Sequence, residues 1–386
     1  MGAIDKVSLG VTGDSPDQMA ELARSAEAGG IHRVWVIELF RNAFTQATYL
    51  STETSSVQLG TGIAWGFVRS PMSIAMSAMD IDEISGGRFT LGLGPGVKRL
   101  IETWHGVEYG RPAPHMRETI EAVREIIRAA AAFEPARYEG EYEDVDIRGW
   151  TRGTAPVRAE IPIFTAAVQE GMSRMAGDVA DGLIGHPLCS ARWIEEKIIP
   201  AFELGLSRSG RNRSDFTFLP SICVAIDDDY ERGLDAARRT VAFYSTVKTY
   251  MPLYELHGFG DNAAQAAAAF RKGDIEGVAA AIPDEMVECY CAVGTPDQVR
   301  EKVGGWPTWP MRSSPGRPTT SSRPSRSRST TSGSSRCSEE EGPEFWQPPR
   351  PVRPDSGRGR EALVLDQGRA RMHCARAGDL DLRQQG

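Results

Sequence analysis

Three kinds of group in this sequence could carry chemistry. Glu38, Glu102 and His105 place two carboxyls and an imidazole just past apolar, strand-like segments. A group that moves a proton must stand there to reach a reacting atom, although His105 also reads as a plain surface histidine. Trp65 and Phe67 follow another such segment. They could stack on a flat ligand or line a substrate pocket, and core packing is the competing reading. The third kind is bare backbone: Gly94 and Gly96 follow the apolar run Phe89-Thr90-Leu91-Gly92-Leu93. The exit of a buried strand is where α/β proteins hold ligands. A dinucleotide fingerprint would need G-x-G-x-x-G opening straight into a helix. Here Pro95 intervenes and the next evident helix begins near residue 114, so that motif is weak. No P-loop, G-x-S-x-G elbow or H-E-x-x-H occurs, which argues against nucleotide hydrolysis, an α/β-hydrolase and a zinc protease.

The elements that must position these groups alternate. Strands are expected at 6–11, 34–37, 57–63, 89–93, 161–167, 182–185 and 216–226. Helices are expected from Ser15-Pro16, at 44–54, from Ser70-Pro71, and at 114–132, 170–179, 191–206, 228–250, 284–291 and 296–303. Ser15 and Ser70 are N-caps with proline at the first helical position. Gly86 and Gly87 can take the left-handed conformation that stops a helix. Two stretches break the beat: 133–160, with a hairpin near Tyr138–Tyr142, and 251–282, with an alanine-rich helix at 263–270. Seven strand–helix units fit an α/β protein, either an open doubly wound sheet or a (β/α)8 barrel. A barrel needs an eighth strand, and none is readable before Gly304.

Composition separates a body from a tail. The chain carries a net charge of -8, but from Gly304 onward there are 14 Arg, no Lys and 9 acids, leaving 30 basic and 43 acidic residues in the body. An acidic body argues against nucleic acid as a partner. None of the six cysteines forms a C-x-x-C pair or a zinc-spaced cluster, so no metal is expected and the thiols read as structural, in a reducing cytoplasm. No signal peptide and no membrane-length apolar run is visible. The expected partner is therefore a small-molecule substrate, with no nucleic acid and no membrane, and homodimerisation left open. Residues 308–336 are almost wholly Ser, Thr, Pro, Arg and Gly. Such a stretch cannot bury enough apolar surface to offset ordering entropy, so the 304–386 segment is expected to be disordered. It also reads as a frameshift. GC-rich codons for the run from Pro307 to Ser313, read from the third base, encode Asp-Val-Ala-Asp-Glu-Val, a plausible approach to the missing strand.

Several motifs in order resemble the bacterial luciferase-like superfamily of flavin- and deazaflavin-dependent oxidoreductases. They are Gly60-Thr61-Gly62-Ile63, Arg69-Ser70-Pro71, Ile84-Ser85-Gly86-Gly87-Arg88-Phe89 with Gly92-Leu93-Gly94, Met116-Arg117-Glu118, 176–182 and Gly294-Thr295-Pro296. The run 94–98 with Ile101-Glu102 is most similar to the branch that uses the deazaflavin coenzyme F420. The resemblance covers residues 4–303 of the 1–303 body and implies that this body is a luciferase-like (β/α)8 TIM barrel, here without a normal eighth strand. It implies that the cofactor ring lies against a bulge formed by Thr61, Gly62, Ile63 and Ala64, a place that often carries a non-proline cis peptide. A plain tight strand exit is the alternative for Gly60 and Gly62. It further implies that Ala166, Ala167, Gly171 and Met172 hold the cofactor phosphate, as a helix N-terminus can, although Gly171 also reads as a simple helix start. On this view a valine at Gly62 would intrude on the ring. Arg88 is expected to pair with an acid beneath the barrel. Relatives often carry Asp-His after strand two; this chain has Glu38-Leu39, which leaves the proton donor open.

The resemblance implies an enzyme that passes a hydride between reduced F420 and an organic substrate. The alternatives are an FMN-dependent monooxygenase using dioxygen and a non-catalytic barrel remnant.

Overall fold

The computed structural model describes residues 7–306. The chain runs β1 (Ser8–Val11), α1 (Pro16–Ala28), β2 (Arg33–Val36), α2 (Ala43–Glu53), β3 (Gln58–Thr61), β4 (Ala64–Trp65), α3 (Pro71–Ile84), β5 (Phe89–Gly94), α4 (Lys98–His105) and α5 (Pro112–Ala132). A hairpin follows, β6 (Arg137–Glu139) and β7 (Asp144–Asp146), then β8 (Ile163–Ala166), α6 (Glu170–Val179) and β9 (Gly182–Ile184). Next come α7 (Ala191–Trp193) and α8 (Ile199–Arg208), joined by the π turn Ile194–Ile198, and then β10 (Thr217–Leu219) and β11 (Cys223–Ile226). The remainder is α9 (Tyr230–Ser245), α10 (Met251–Glu255), α11 (Gly260–Arg271), α12 (Ile275–Ala280), α13 (Asp284–Tyr290), β12 (Cys291–Gly294) and α14 (Pro296–Gly304).

Local chemistry starts and stops these elements. The Ser15 hydroxyl accepts the Gln18 N–H at 3.1 Å and the Ser70 hydroxyl accepts that of Ser73 at 3.2 Å, each ahead of a proline. Gly86 and Gly87 take φ of 66° and 82° and turn the chain from α3 into β5.

Strand order decides the architecture. The main sheet runs β1-β2-β3-β5-β8-β9-β10, every pair parallel, each strand beside its predecessor. A doubly wound sheet would reverse direction at a switch point, whereas a sequential order belongs to a barrel wall. The fold is of the α/β barrel type.

Inside the sheet the floor of the site is Trp35, Phe164, Ile184 and Leu219, with Ile63 packed on it. Gly10 and Gly60 flank Trp35 in register, and a Cβ on Gly60 would overlap the indole. Gly60 thus gives Trp35 its space. Under it the Arg33 guanidinium lies 5.1 Å from the Trp35 ring and 5.7 Å from Phe164. Burial, reinforced by the charge of Arg158, lowers Arg33 to about 10. Outside the sheet, alternate residues such as Val34, Leu91 and Leu183 pack on the helices in one continuous core.

The structure corrects four expectations. The seventh strand is two, β10 and β11, separated by Pro220, which has no N–H to give a ladder. A short strand does precede Gly304: β12, which the expected helix 284–291 runs into. It pairs with β11 and not with β1, so no described strand closes the sheet along β1. Helix α4 starts just after Gly96 and was illegible because no side chain caps it and it is only eight residues long. Arg88 makes no ion pair among the described residues. It donates to the carbonyls of Ser85, Ser51, Thr54 and Val57 at 2.8–3.0 Å and to the Thr54 hydroxyl at 3.1 Å, satisfying the open end of α2. The acid in that layer, Asp82, pairs with Arg158 instead.

The expected hairpin is β6–β7, tied to α5 by Glu118, whose carboxylate accepts the N–H groups of Glu141, Tyr142 and Glu143 at 2.6–3.1 Å. The alanine-rich helix is α11. The tail from residue 307, with its expected disorder and frameshift, lies outside the described residues. Among the described residues no helix is long and apolar enough to cross a membrane.

Candidate active site

The carboxyl ends of the strands form the mouth, and its centre is the end of β3. A cis peptide joins Gly62 to Ile63, at the place the resemblance implied. The chain then turns over β5, where Ala64 pairs with Leu93 and Trp65 with Gly94. The Thr61 hydroxyl donates to the Gly92 carbonyl at 2.7 Å and accepts the Gly92 N–H at 2.9 Å. Thr61 is thereby committed to joining strands.

The glycines of β5 answer this close approach. A Cβ on Gly92 would overlap the Thr61 carbonyl, and one on Gly94 would overlap Ile63. Gly96, at φ 69°, would meet Ile101 at 2.9 Å and Trp65 at 3.4 Å. Their bare faces are turned to protein neighbours. Gly62 behaves alike: its missing side chain points at Trp35, 3.1 Å from that residue's Cβ. A valine there would press on Trp35 in the floor as well as on any ring lying against the bulge.

Glu38 is a clamp. Its carboxylate accepts the Trp65 N–H at 2.7 Å, the Ala43 N–H at 3.4 Å, and both terminal nitrogens of Arg69. Arg69 also donates to the Trp65 carbonyl at 3.0 Å and covers the Phe44 ring at 5.1 Å. Both side chains are nearly buried. With four donors on two oxygens, Glu38 holds β4 in place and has little left to offer a substrate.

The other two proton-donor candidates sit on α4. Glu102 is exposed, 3.6 Å from Lys98. His105 is also exposed and meets the Trp65 ring edge-on at 5.4 Å. Trp104 lies on Trp65 at 6.2 Å, leaving Trp65 buried under α4. Phe67 stacks on His115 at 3.9 Å, with Tyr142 on the far face of His115 at 4.6 Å. The structure thus groups Trp65 with His105, and Phe67 with the hairpin.

On the opposite wall, Ala166 is half-buried at the end of β8, and the Ala167 N–H donates to Ile184 at 3.2 Å. Helix α6 opens next, its N-cap Gln169 making no side-chain cap. Gly171 has open space where a side chain would be, beside the buried Met172.

Sequence reasoning missed a set of aromatic and imidazole groups here. His186 follows β9, with Tyr244 at 4.7 Å and Tyr250 at 4.4 Å. Across the mouth the Tyr109 hydroxyl donates to the Gly96 carbonyl at 3.0 Å. Burial lowers His186 to about 3 and raises Tyr109 to about 12, with the charge of Glu102 adding to the latter. Burial also raises Tyr250, and it pushes Cys189 up to about 12. These groups stay neutral in a poorly solvated mouth. The signal was present: Gly185-His186-Pro187 directly follows a buried strand, and barrel chemistry sits at strand carboxyl ends.

This geometry has known counterparts. An uncharacterized protein of Mycobacterium tuberculosis is 34% identical over 306 residues, 78% of this chain and 89% of that one. A 5,10-methylenetetrahydromethanopterin reductase of Archaeoglobus fulgidus is 31% identical over 288 residues, 72% of this chain and 82% of that one. Among solved structures, the coenzyme F420-dependent tetrahydromethanopterin reductase of Methanopyrus kandleri superposes with a TM-score of 0.66 at 25% identity, covering 77% of this chain and 89% of that one. These relatives bear out the resemblance to the F420 branch. The family described as luciferase-like monooxygenase matches residues 4–311, and the chain belongs to it.

Proposed function

We propose that this protein is an oxidoreductase that moves a hydride between reduced coenzyme F420 and an organic substrate at the barrel mouth. The observation that carries this reading is the likeness, over 77% of the chain, to an F420-dependent reductase. The residues present fit such a cofactor. The open face of Gly171 and the uncapped start of α6 offer amides to a phosphate. Ile63 and Ala64 offer a wall for a flat ring, above a floor filled by Trp35. When bound, the deazaflavin would supply the hydride chemistry. The chain's own part is to hold the wall with the Glu38–Arg69 clamp and to keep water out with Tyr109, Tyr250 and His186.

FMN with dioxygen is the rival on the same fold. Titrating the purified protein with reduced F420 and with FMN separates them. Tighter binding of F420 is expected; equal or tighter retention of FMN would overturn the reading, and binding of neither would favour the remnant.

A further inference from the structure

His186 has no part in the wall, the floor or the phosphate site. It stands two residues beyond Ile184, the last residue of β9 and part of the floor on which Ile63 packs. Its Nδ1 accepts the Leu188 N–H at 3.2 Å. A ring nitrogen that accepts carries no proton, so in the neutral ring the proton is on Nε2. Tyr244 meets the ring edge-on and Tyr250 lies tilted against it, which fixes its plane. Nε2–H has no protein acceptor among the described residues. With burial as the sole influence on its titration, the ring is uncharged at neutral pH.

We propose that His186 Nε2–H is the hydrogen-bond donor that holds an uncharged substrate oxygen, that of a ketone or aldehyde or of the corresponding alcohol. The inference rests on the reading that an organic substrate is reduced or oxidised at this mouth. A fixed, neutral N–H offers a dipole without a charge, which suits such an oxygen better than a carboxylate or a phosphate. It also suits hydride chemistry. As a hydride reaches a carbonyl carbon, negative charge grows on the oxygen, and a donor already in place binds that state more tightly than the starting ketone. Nε2 keeps its proton: the hydride adds to the carbonyl carbon, the C=O π pair moves to the oxygen, and the proton that completes the alcohol comes from solvent water, to which the reverse reaction returns it. Beyond strand two this chain has the engaged carboxylate of Glu38, which offers no donor to such an oxygen.

The test uses the full-length protein and acetophenone labelled with carbon-13 at the carbonyl. Nitrogen-15 spectra of labelled histidine should show His186 protonated at Nε2 and bare at Nδ1 across neutral pH. Isotope-edited infrared spectra should show the bound carbonyl stretch moved to lower wavenumber. In His186→Phe the shift should vanish and Kd should rise about tenfold, the scale of one lost hydrogen bond. His186→Gln keeps an N–H and should recover part of both. An unshifted stretch in the wild type, no binding of acetophenone, or equal Kd and stretch in wild type and His186→Phe would each overturn the proposal, and the wild-type spectrum decides if the variant does not fold. The ketone measurement needs no cofactor. Loss of F420 binding with an intact ketone signal therefore defeats the proposed cofactor alone, and the reverse pattern defeats the role of His186 alone.

Discussion

Glu38 shows what a single residue discloses and what it conceals. Its place beyond strand two was legible; its role was not, because the partner that consumes it, Arg69, comes 31 residues later. No spacing rule links the two. The clamp predicts that Glu38→Ala acts first on stability. Removing one member of a buried pair leaves Arg69 uncompensated and frees the Trp65 N–H, at a cost of about 3 kcal/mol. Urea unfolding measures it. An unchanged unfolding midpoint together with lost turnover would show instead that Glu38 is a proton donor. The glycines carry the same lesson. Gly60, Gly62 and Gly94 stood out as bare backbone, yet what fills each gap is a side chain distant in sequence, Trp35 or Ile63.

At the scale of elements, the sequence was most legible where capping and periodicity agreed, as in α1 and α3, and least where an element was short. Helix α4 lacks a capping side chain, and β12 begins at the residue directly after the end of α13. The junction of α1 with β3 was invisible for another reason: a side chain makes it. Glu27, at the end of α1, accepts the N–H groups of Ser55, Ser56 and Val57 at 2.5–2.9 Å. Burial pushes its carboxyl up, but these donors outweigh it and hold it at about 2. A folded value below the unfolded one, about 4.3, means that the stabilisation is present above that pH and is lost as the pH falls toward about 2. Glu27→Gln should therefore lower stability at neutral pH and flatten the decline of stability over that acid range. Parallel acid-unfolding curves for the two proteins would refute the assignment.

At the scale of the whole molecule, the described strands form a wall whose two margins, β1 and β10, have no further strand beside them. Unpaired margins of a buried parallel sheet favour association with other chains. The frameshift reading of the tail bears on this directly. Sequencing the gene should show the alternate frame open past the codon for Pro307 and encoding Asp-Val-Ala-Asp-Glu-Val; a stop within a few codons would end the idea. The order of the strands, by contrast, owes nothing to the tail, since β1 to β10 are already complete in barrel sequence. Within that wall Trp35 has a consequence for descent. Its indole occupies the volume that a side chain at 60 would need, so position 60 cannot gain one while the tryptophan stands. An ancestor could exchange the tryptophan for a smaller residue first and acquire a side chain at 60 afterwards, but not in the opposite order. Lineages of this barrel should therefore separate into those that keep the bulky ring with glycine at 60 and those that have lost both together.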